Sequence, residues 1–141
     1  MRIVLDTNIL ISGLRSRNGA SFQILRLLGA SQFTTCVSVP LVLEYEQTLA
    51  RLAPGFGLDE SDVRDVMDYL CAVSIHQPIF YLWRPQLSDP DDDMLLELAV
   101  AADCDAIVTY NRSDFHSASD FGIEIIDAKQ LLERIEPGRQ P

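Results

Sequence analysis

Ile3-Val4-Leu5-Asp6-Thr7-Asn8-Ile9-Leu10-Ile11 decides the fold. Its three leading apolar residues read as a short buried strand, Asp6-Thr7-Asn8 as a turn, and Ile9-Leu10-Ile11 as the opening of a short helix. The same step from strand to helix recurs along the chain. Phe22, Leu25, Arg26 and Leu28 fall on a helical stretch that Gly29 ends. Thr34 to Val39 is rich in β-branched residues and predicts a second strand, and Pro40 suits the first turn of a helix reaching about Leu52. Pro54-Gly55-Phe56-Gly57 breaks that helix. Asp59-Glu60-Ser61-Asp62 then loads negative charge onto the start of the next, where Val63, Val66, Met67 and Leu70 recur at helical spacing. Val73 to His76 is a weak third strand. Asp89 to Asp93 precede a helix with Leu95, Leu98, Ala99 and Ala102 on one face. Ala106-Ile107-Val108-Thr109 is a fourth strand, Ile123 to Ile126 a fifth, and Ala128 to Ile135 a closing helix. Strands that are apolar on both faces and alternate with helices predict an α/β fold with a mostly parallel central sheet.

A chain of 141 residues, 48% apolar and 23% charged, has the size and composition of one domain, here residues 1–141 with about 136–141 as a flexible tail. No apolar run approaches the roughly 18 to 20 residues needed to span a bilayer. An acid arrives at Asp6 after only three apolar residues, so no secretory leader is predicted and the expected location is the cytoplasm. Cys36, Cys71 and Cys104 lie far apart and form no CxxC, which argues against structural zinc and for buried, reduced thiols. The net charge is −10, from 21 acids and 11 bases. Such a balance ordinarily argues against a nucleic-acid partner. It is unevenly spread, however: residues 1–43 carry Arg2, Arg15, Arg17 and Arg26 against Asp6 alone, and every other acid follows.

In open parallel sheets, ligand sites form at the carboxyl edge of the strands. Asp6 follows the first strand directly, and Glu44 lies in the first turns of the helix that leaves the second. Asp93 opens the helix that runs back down, before the fourth strand climbs to Thr109-Tyr110-Asn111. Ten helical residues cover about 15 Å and five strand residues about 16 Å, so Asp93 and Asn111 return to nearly the same height. Asp114 follows shortly after. Asp6, Glu44, Asp93, Asn111 and Asp114 are therefore expected to converge. Two carboxylates about 4 Å apart repel by about 4 kcal/mol at an effective dielectric of about 20, so such a cluster implies a divalent cation. Oxygen ligands select a hard ion, Mg²⁺ or Mn²⁺, which binds phosphate oxygens and activates water, the chemistry of phosphodiester hydrolysis. Each residue by itself has a plainer reading. Asp6 is placed to cap a helix, Glu44 and Asp91-Asp92-Asp93 to sit in first turns, and Asn111 and Asp114 to shape a turn; Glu46 competes with Glu44. The shared edge carries the argument.

These same residues give the sequence its resemblance to the PIN-domain family, the nuclease domain of VapC-type toxins in bacterial toxin–antitoxin pairs. It is most similar to the small stand-alone toxin branch. The landmarks are Ile3-Val4-Leu5-Asp6-Thr7-Asn8, Ser38 followed six residues later by Glu44, and Asp93-Met94-Leu95-Leu96-Glu97-Leu98-Ala99 leading to Ile107-Val108-Thr109-Tyr110-Asn111-Arg112-Ser113-Asp114-Phe115. The resemblance implies a three-layer αβα sandwich and a Mg²⁺- or Mn²⁺-dependent endoribonuclease. It carries the invariant acids over to Asp6, Glu44 and Asp93, and ligand- or substrate-holding roles to Asn8 and Thr109. At the fourth acidic position this chain has Asn111. An amide oxygen lacks the charge, so Asp114 is the alternative fourth ligand. The resemblance further implies a homodimer and a cognate antitoxin that masks the acidic site.

Arg15, Arg17 and Arg112 are candidate contacts for RNA phosphates beside that site, against the plainer reading of surface arginines. The Asp59 to Asp68 acids read as a solvated helix face. The base is assigned to water, because neither His76 nor His116 occupies a compelling position. A receiver-like phosphoacceptor would need paired acids after the first strand and a Lys after the fifth; the chain has Asp6 alone and Lys129 inside the last helix. A calcium loop at Asp89-Pro90-Asp91-Asp92-Asp93 fails, with Met94 where Gly is needed and Val100 where Glu is needed. The competing function is a PIN fold that binds RNA or protein without cleaving, motivated by Asn111.

Overall fold

The computed structural model describes residues 1–79, 90–115 and 118–135. Asp89, His116 and the tail expected at 136–141 lie outside the described residues. Five strands, β1 (Arg2–Leu5), β2 (Thr34–Val37), β3 (Ile75–His76), β4 (Ala106–Val108) and β5 (Glu124–Ile126), form one sheet in the order β3-β2-β1-β4-β5. Every pairing is parallel. Among the described residues six helices cover it: α1 (Thr7–Arg15), α2 (Ala20–Arg26), α3 (Val39–Leu52), α4 (Glu60–Val73), α5 (Pro90–Ala101) and α6 (Ala128–Ile135). The expected α/β sandwich with a parallel central sheet is therefore present. None of the described helices is long and apolar enough to cross a membrane.

β1 is central because its side chains tolerate no water on either face: Ile3, Val4 and Leu5 are at most 1% exposed. Ile107 and Val108 beside it are equally buried. Cys36 and Cys104 are buried within the same core.

Several boundaries differ from the sequence reading: Val73 closes α4 and leaves only Ile75–His76 for β3, β4 ends at Val108, β5 begins at Glu124, and three further shifts bear on the site. Thr7 and Asn8 are the first residues of α1 rather than a turn, with Asp6 in extended conformation at the cap position. β2 stops at Val37, because the Ser38 hydroxyl accepts from the Leu41 N–H and starts α3 there. α5 begins at Pro90, a residue whose fixed φ and missing N–H suit a first turn, so Asp93 sits inside the helix rather than before it. The α4 acids have a structural use: Asp59 and Asp62 cap one another's backbone N–H groups at 2.9 Å. α1 and α2 pack closely at Gly13, where a Cβ would lie 2.5 Å from Leu25 Cδ1.

Candidate functional site

The strand order fixes where a site can form. From β1 the chain moves through β2 to β3 on one side, then crosses back to β4 on the other. The connections therefore diverge between β1 and β4, which opens a crevice at their carboxyl ends. Leu5 pairs with Val108, and the Asp6 N–H donates to the Val108 carbonyl at 2.9 Å, so Asp6 and Thr109 emerge side by side in that crevice.

Thr109 is fully buried and its hydroxyl is saturated. It donates to Asp6 Oδ2 at 2.7 Å and accepts from the Asn111 N–H at 3.0 Å and from Asn8 Nδ2 at 3.3 Å. Asn8 also donates to Asp6 Oδ2 at 3.4 Å, and its Oδ1 accepts from the Tyr110 N–H at 3.4 Å. Asp6 is only 9% exposed. Burial pushes its carboxyl above the ordinary carboxylate range; the Thr109 hydroxyl and the N–H groups of Thr7 and Asn8 oppose that rise, and the charge of Asp114 adds to it. Asp6 is thus held in one orientation by these hydrogen bonds.

Glu44 reaches the same edge through α3. The Thr7 hydroxyl donates to Glu44 Oε2 at 2.6 Å. The next residue, Tyr45, is buried and donates its hydroxyl to the Leu5 carbonyl at 2.5 Å. Burial, with the negative charges of Asp6 and Glu44 behind it, holds that phenol well above its ordinary range, so it remains a donor. Two consecutive residues of α3 are therefore tied to the junction of β1 and α1. Glu46 is exposed on another face of α3, in a groove shared with α4. Between the two acids that the sequence left open, Glu44 is the one at the edge.

On α5 the burial falls one residue earlier than expected. Asp92 is 9% exposed and Asp93 is half-buried. Asp92 shares a helix face with Leu95, Leu96 and Ala99, all at most 1% exposed, whereas the same spacings from Asp93 reach the buried Leu96 but also the half-buried Glu97 and Val100. Sequence reasoning missed Asp92, although its spacing to those core residues was visible. It also missed Thr7 and Tyr45, whose partners lie far along the chain.

Asn111 is exposed, and its carbonyl accepts from the Asp114 N–H at 3.1 Å, which starts the 3₁₀ turn Arg112–Phe115. Asp114 is exposed and close enough for its charge to be felt at Asp6. Arg112 donates to Gln130 Oε1 at 3.2 Å on the same side of the sheet edge as Asn111. Arg15 and Arg17 are carried away. α1 descends from Asp6, and nine residues at 1.5 Å each put Arg15 roughly 14 Å further down. There its guanidinium stacks over Phe56 at 5.7 Å. His76 donates to the Cys71 carbonyl at 2.7 Å, a structural use.

The donors gathered here are carboxylates, an amide and hydroxyls, which in kind fit a hard divalent cation. As the side chains stand, no three His, Cys, Asp or Glu residues among the described ones are grouped closely enough to hold a metal ion.

The family model of the PIN domain matches residues 2–113. Among solved structures, the fold resembles that of VapBC2 from Rickettsia felis bound to a DNA fragment from their promoter, with a TM-score of 0.59 at 14% identity, covering 90% of this chain and 98% of that one. At that identity the likeness is one of fold. No curated protein sequence matches. The family match spans β1, the Asp6–Thr109 crevice, α3 with Glu44 and α5, and the chain belongs to the PIN-domain family.

Proposed function

We propose that the protein is a Mg²⁺- or Mn²⁺-dependent endoribonuclease, the toxin of a toxin–antitoxin pair acting in the cytoplasm. The observation that carries this reading is Asp6: a buried carboxylate at the divergence of β1 and β4, oriented by Thr109 and Asn8, with Glu44 tied beside it. Asp6, Glu44 and the Asp92–Asp93 pair are the residues that would hold the ion, with Asp92 favoured by its place on the buried face of α5 and Asp114 as a further carboxylate. When bound, such an ion neutralises phosphate charge and lowers the pKa of water.

The chain's own contribution is positional. Thr109 and Thr7 each fix one carboxylate oxygen, which leaves the orientation of Asp6 and Glu44 independent of substrate. Tyr45 holds α3 against the end of β1, so Glu44 cannot drift from Asp6 without breaking a buried hydrogen bond. Asn111 offers an amide oxygen without charge. Arg112 stands nearest the edge of the three candidate arginines for contacting RNA phosphates, and Arg15 and Arg17 would reach only phosphates further along a strand. A cognate antitoxin and a homodimer complete the reading.

Purified protein freed of any antitoxin is expected to cleave RNA only with Mg²⁺ or Mn²⁺, and Asp6→Asn to abolish cleavage while the fold survives. Cleavage that persists in chelator, or in the folded Asp6→Asn protein, refutes this reading. Asn111 favours a second reading, a PIN fold that binds RNA or a protein without cutting. No cleavage across a broad RNA panel, with binding retained, would establish that alternative.

A further inference from the structure

We propose that Tyr110 is a base-stacking platform of this site, which makes the substrate an RNA with an unpaired nucleotide beside the scissile bond; the inference rests on the ribonuclease reading. Tyr110 lies between Thr109, which is bonded to Asp6, and Asn111. The residue is 47% exposed although its backbone N–H and its hydroxyl are both tied down. The backbone N–H donates to Asn8 Oδ1, and the phenol hydroxyl is hydrogen-bonded to Ser21 Oγ on α2, a side chain only 1% exposed. The close approach of α2 to α1 at Gly13, where a Cβ would also meet the Ser21 carbonyl at 3.0 Å, sets the position of that anchor.

The ring is therefore fixed at its polar end in a residue that stays about half exposed. Tyr69 on α4 is likewise about half exposed with its hydroxyl tied, to the Leu28 carbonyl, so what distinguishes Tyr110 is its place directly after Thr109 at the carboxyl edge beside Asp6. Preorganisation matters here, because an aromatic already ordered in the free protein loses little conformational freedom on stacking. Single-stranded RNA presents bases that splay out and stack on such rings, whereas paired bases are already stacked within a duplex. A strand whose phosphate sits at Asp6 would bring a neighbouring base over Tyr110, one residue beyond Thr109.

The test uses the full chain and separates ring from hydroxyl. Tyr110→Phe removes the bond to Ser21 and keeps the ring; Tyr110→Leu removes both, and Tyr110→Trp supplies a second aromatic lacking the hydroxyl. Binding is read by quenching of 2-aminopurine in a single-stranded oligoribonucleotide, in the cleavage-blocked Asp6→Asn background, and by KM and kcat in the otherwise wild-type protein. The expected result is wild-type quenching and KM, within about threefold, for Phe and Trp. For Leu, affinity falls and KM rises by roughly tenfold, kcat holds within about threefold, and the preference for the strand over a hairpin stem is lost. Should Leu fail to fold, retention of quenching by both Phe and Trp still supports the ring, and its loss in both overturns the proposal. Equal losses in Phe and Leu would show the hydroxyl strut to be what matters, and unchanged binding in Leu would show the ring idle; either overturns the proposal while leaving the ribonuclease reading intact. If RNA cleavage and binding are absent in every protein, wild type included, the ribonuclease reading fails and this inference with it.

Discussion

Thr109→Val replaces one side chain by another of nearly the same shape and removes a hydroxyl with three partners in a fully buried position. Asp6 loses a charge-assisted hydrogen bond, which contributes about 1.5–3 kcal/mol, and the Asn111 N–H loses its acceptor, which costs about 1 kcal/mol more. A total destabilisation of about 2.5–4 kcal/mol follows. With a urea slope of about 2 kcal/mol/M, the midpoint falls by roughly 1–2 M. The effect carries a pH signature. Asp6 has its carboxyl raised in the fold, so its contribution to stability is present below its unfolded value and is lost as pH rises through the folded one. Thr109 favours the ionised form, and removing it lifts the folded value further. The deficit of the variant is therefore largest at neutral pH, and shrinks once both proteins carry a neutral Asp6 below the ordinary carboxylate range. Urea unfolding in chelator at pH about 7 and about 3 measures both quantities. A difference below about 1 kcal/mol at neutral pH, or one that is the same at both pH values, would refute the placement of Thr109 as the group that holds ionised Asp6.

Asp6→Asn keeps an oxygen acceptor for Thr109 and removes a buried charge, so the metal-free variant is expected to melt above the wild type at neutral pH, with the gap closing in acid. Mn²⁺ should raise the Tm of the wild type and leave that of the variant unmoved; thermal scans with and without chelator check both. Asp92→Asn should cut RNA cleavage by about 100-fold or more and Asp93→Asn by less than about tenfold, because only the former faces the buried side of α5; the reverse order in steady-state assays would restore Asp93 as the ligand. Glu44→Gln is expected to be as damaging as Asp92→Asn and Glu46→Gln to be within about twofold of wild type. Tyr45→Phe should cost about 1 kcal/mol in urea unfolding and lower kcat more than it raises KM, since it loosens Glu44 rather than a substrate contact; an unchanged kcat would argue that α3 is fixed by other means.

How far the site was legible in the sequence depends on the range of the interaction. Asp6 was readable because it follows the apolar run Ile3-Val4-Leu5 of β1, and a parallel sheet puts whatever follows a strand on the carboxyl edge. The family resemblance rested on the same short-range order of motifs and is upheld by the match over residues 2–113. Glu44 against Glu46 and Asp92 against Asp93 were not separable in the same way, because successive residues on a helix point about 100° apart and the facing direction is set by what the helix packs on. The direction of the basic N-terminal stretch was not legible for a related reason: Arg15 is near Asp6 in sequence, but the helix between them runs away from the edge.

The sequence by itself determined that strands and helices alternate, that the sheet is parallel and buried, and that acids follow its first strand and gather near its later helices. Apolar periodicity and charge position are local properties, and they survive without coordinates. Only the tertiary structure decided that β1 lies between β2 and β4, that the chain diverges beside Asp6, and that Thr109 and Thr7 hold the two carboxylates. Those bonds join residues 103 and 37 positions apart. No local pattern encodes them, because they exist only once burial of Ile3, Val4 and Leu5 has brought the neighbouring strands and α3 together.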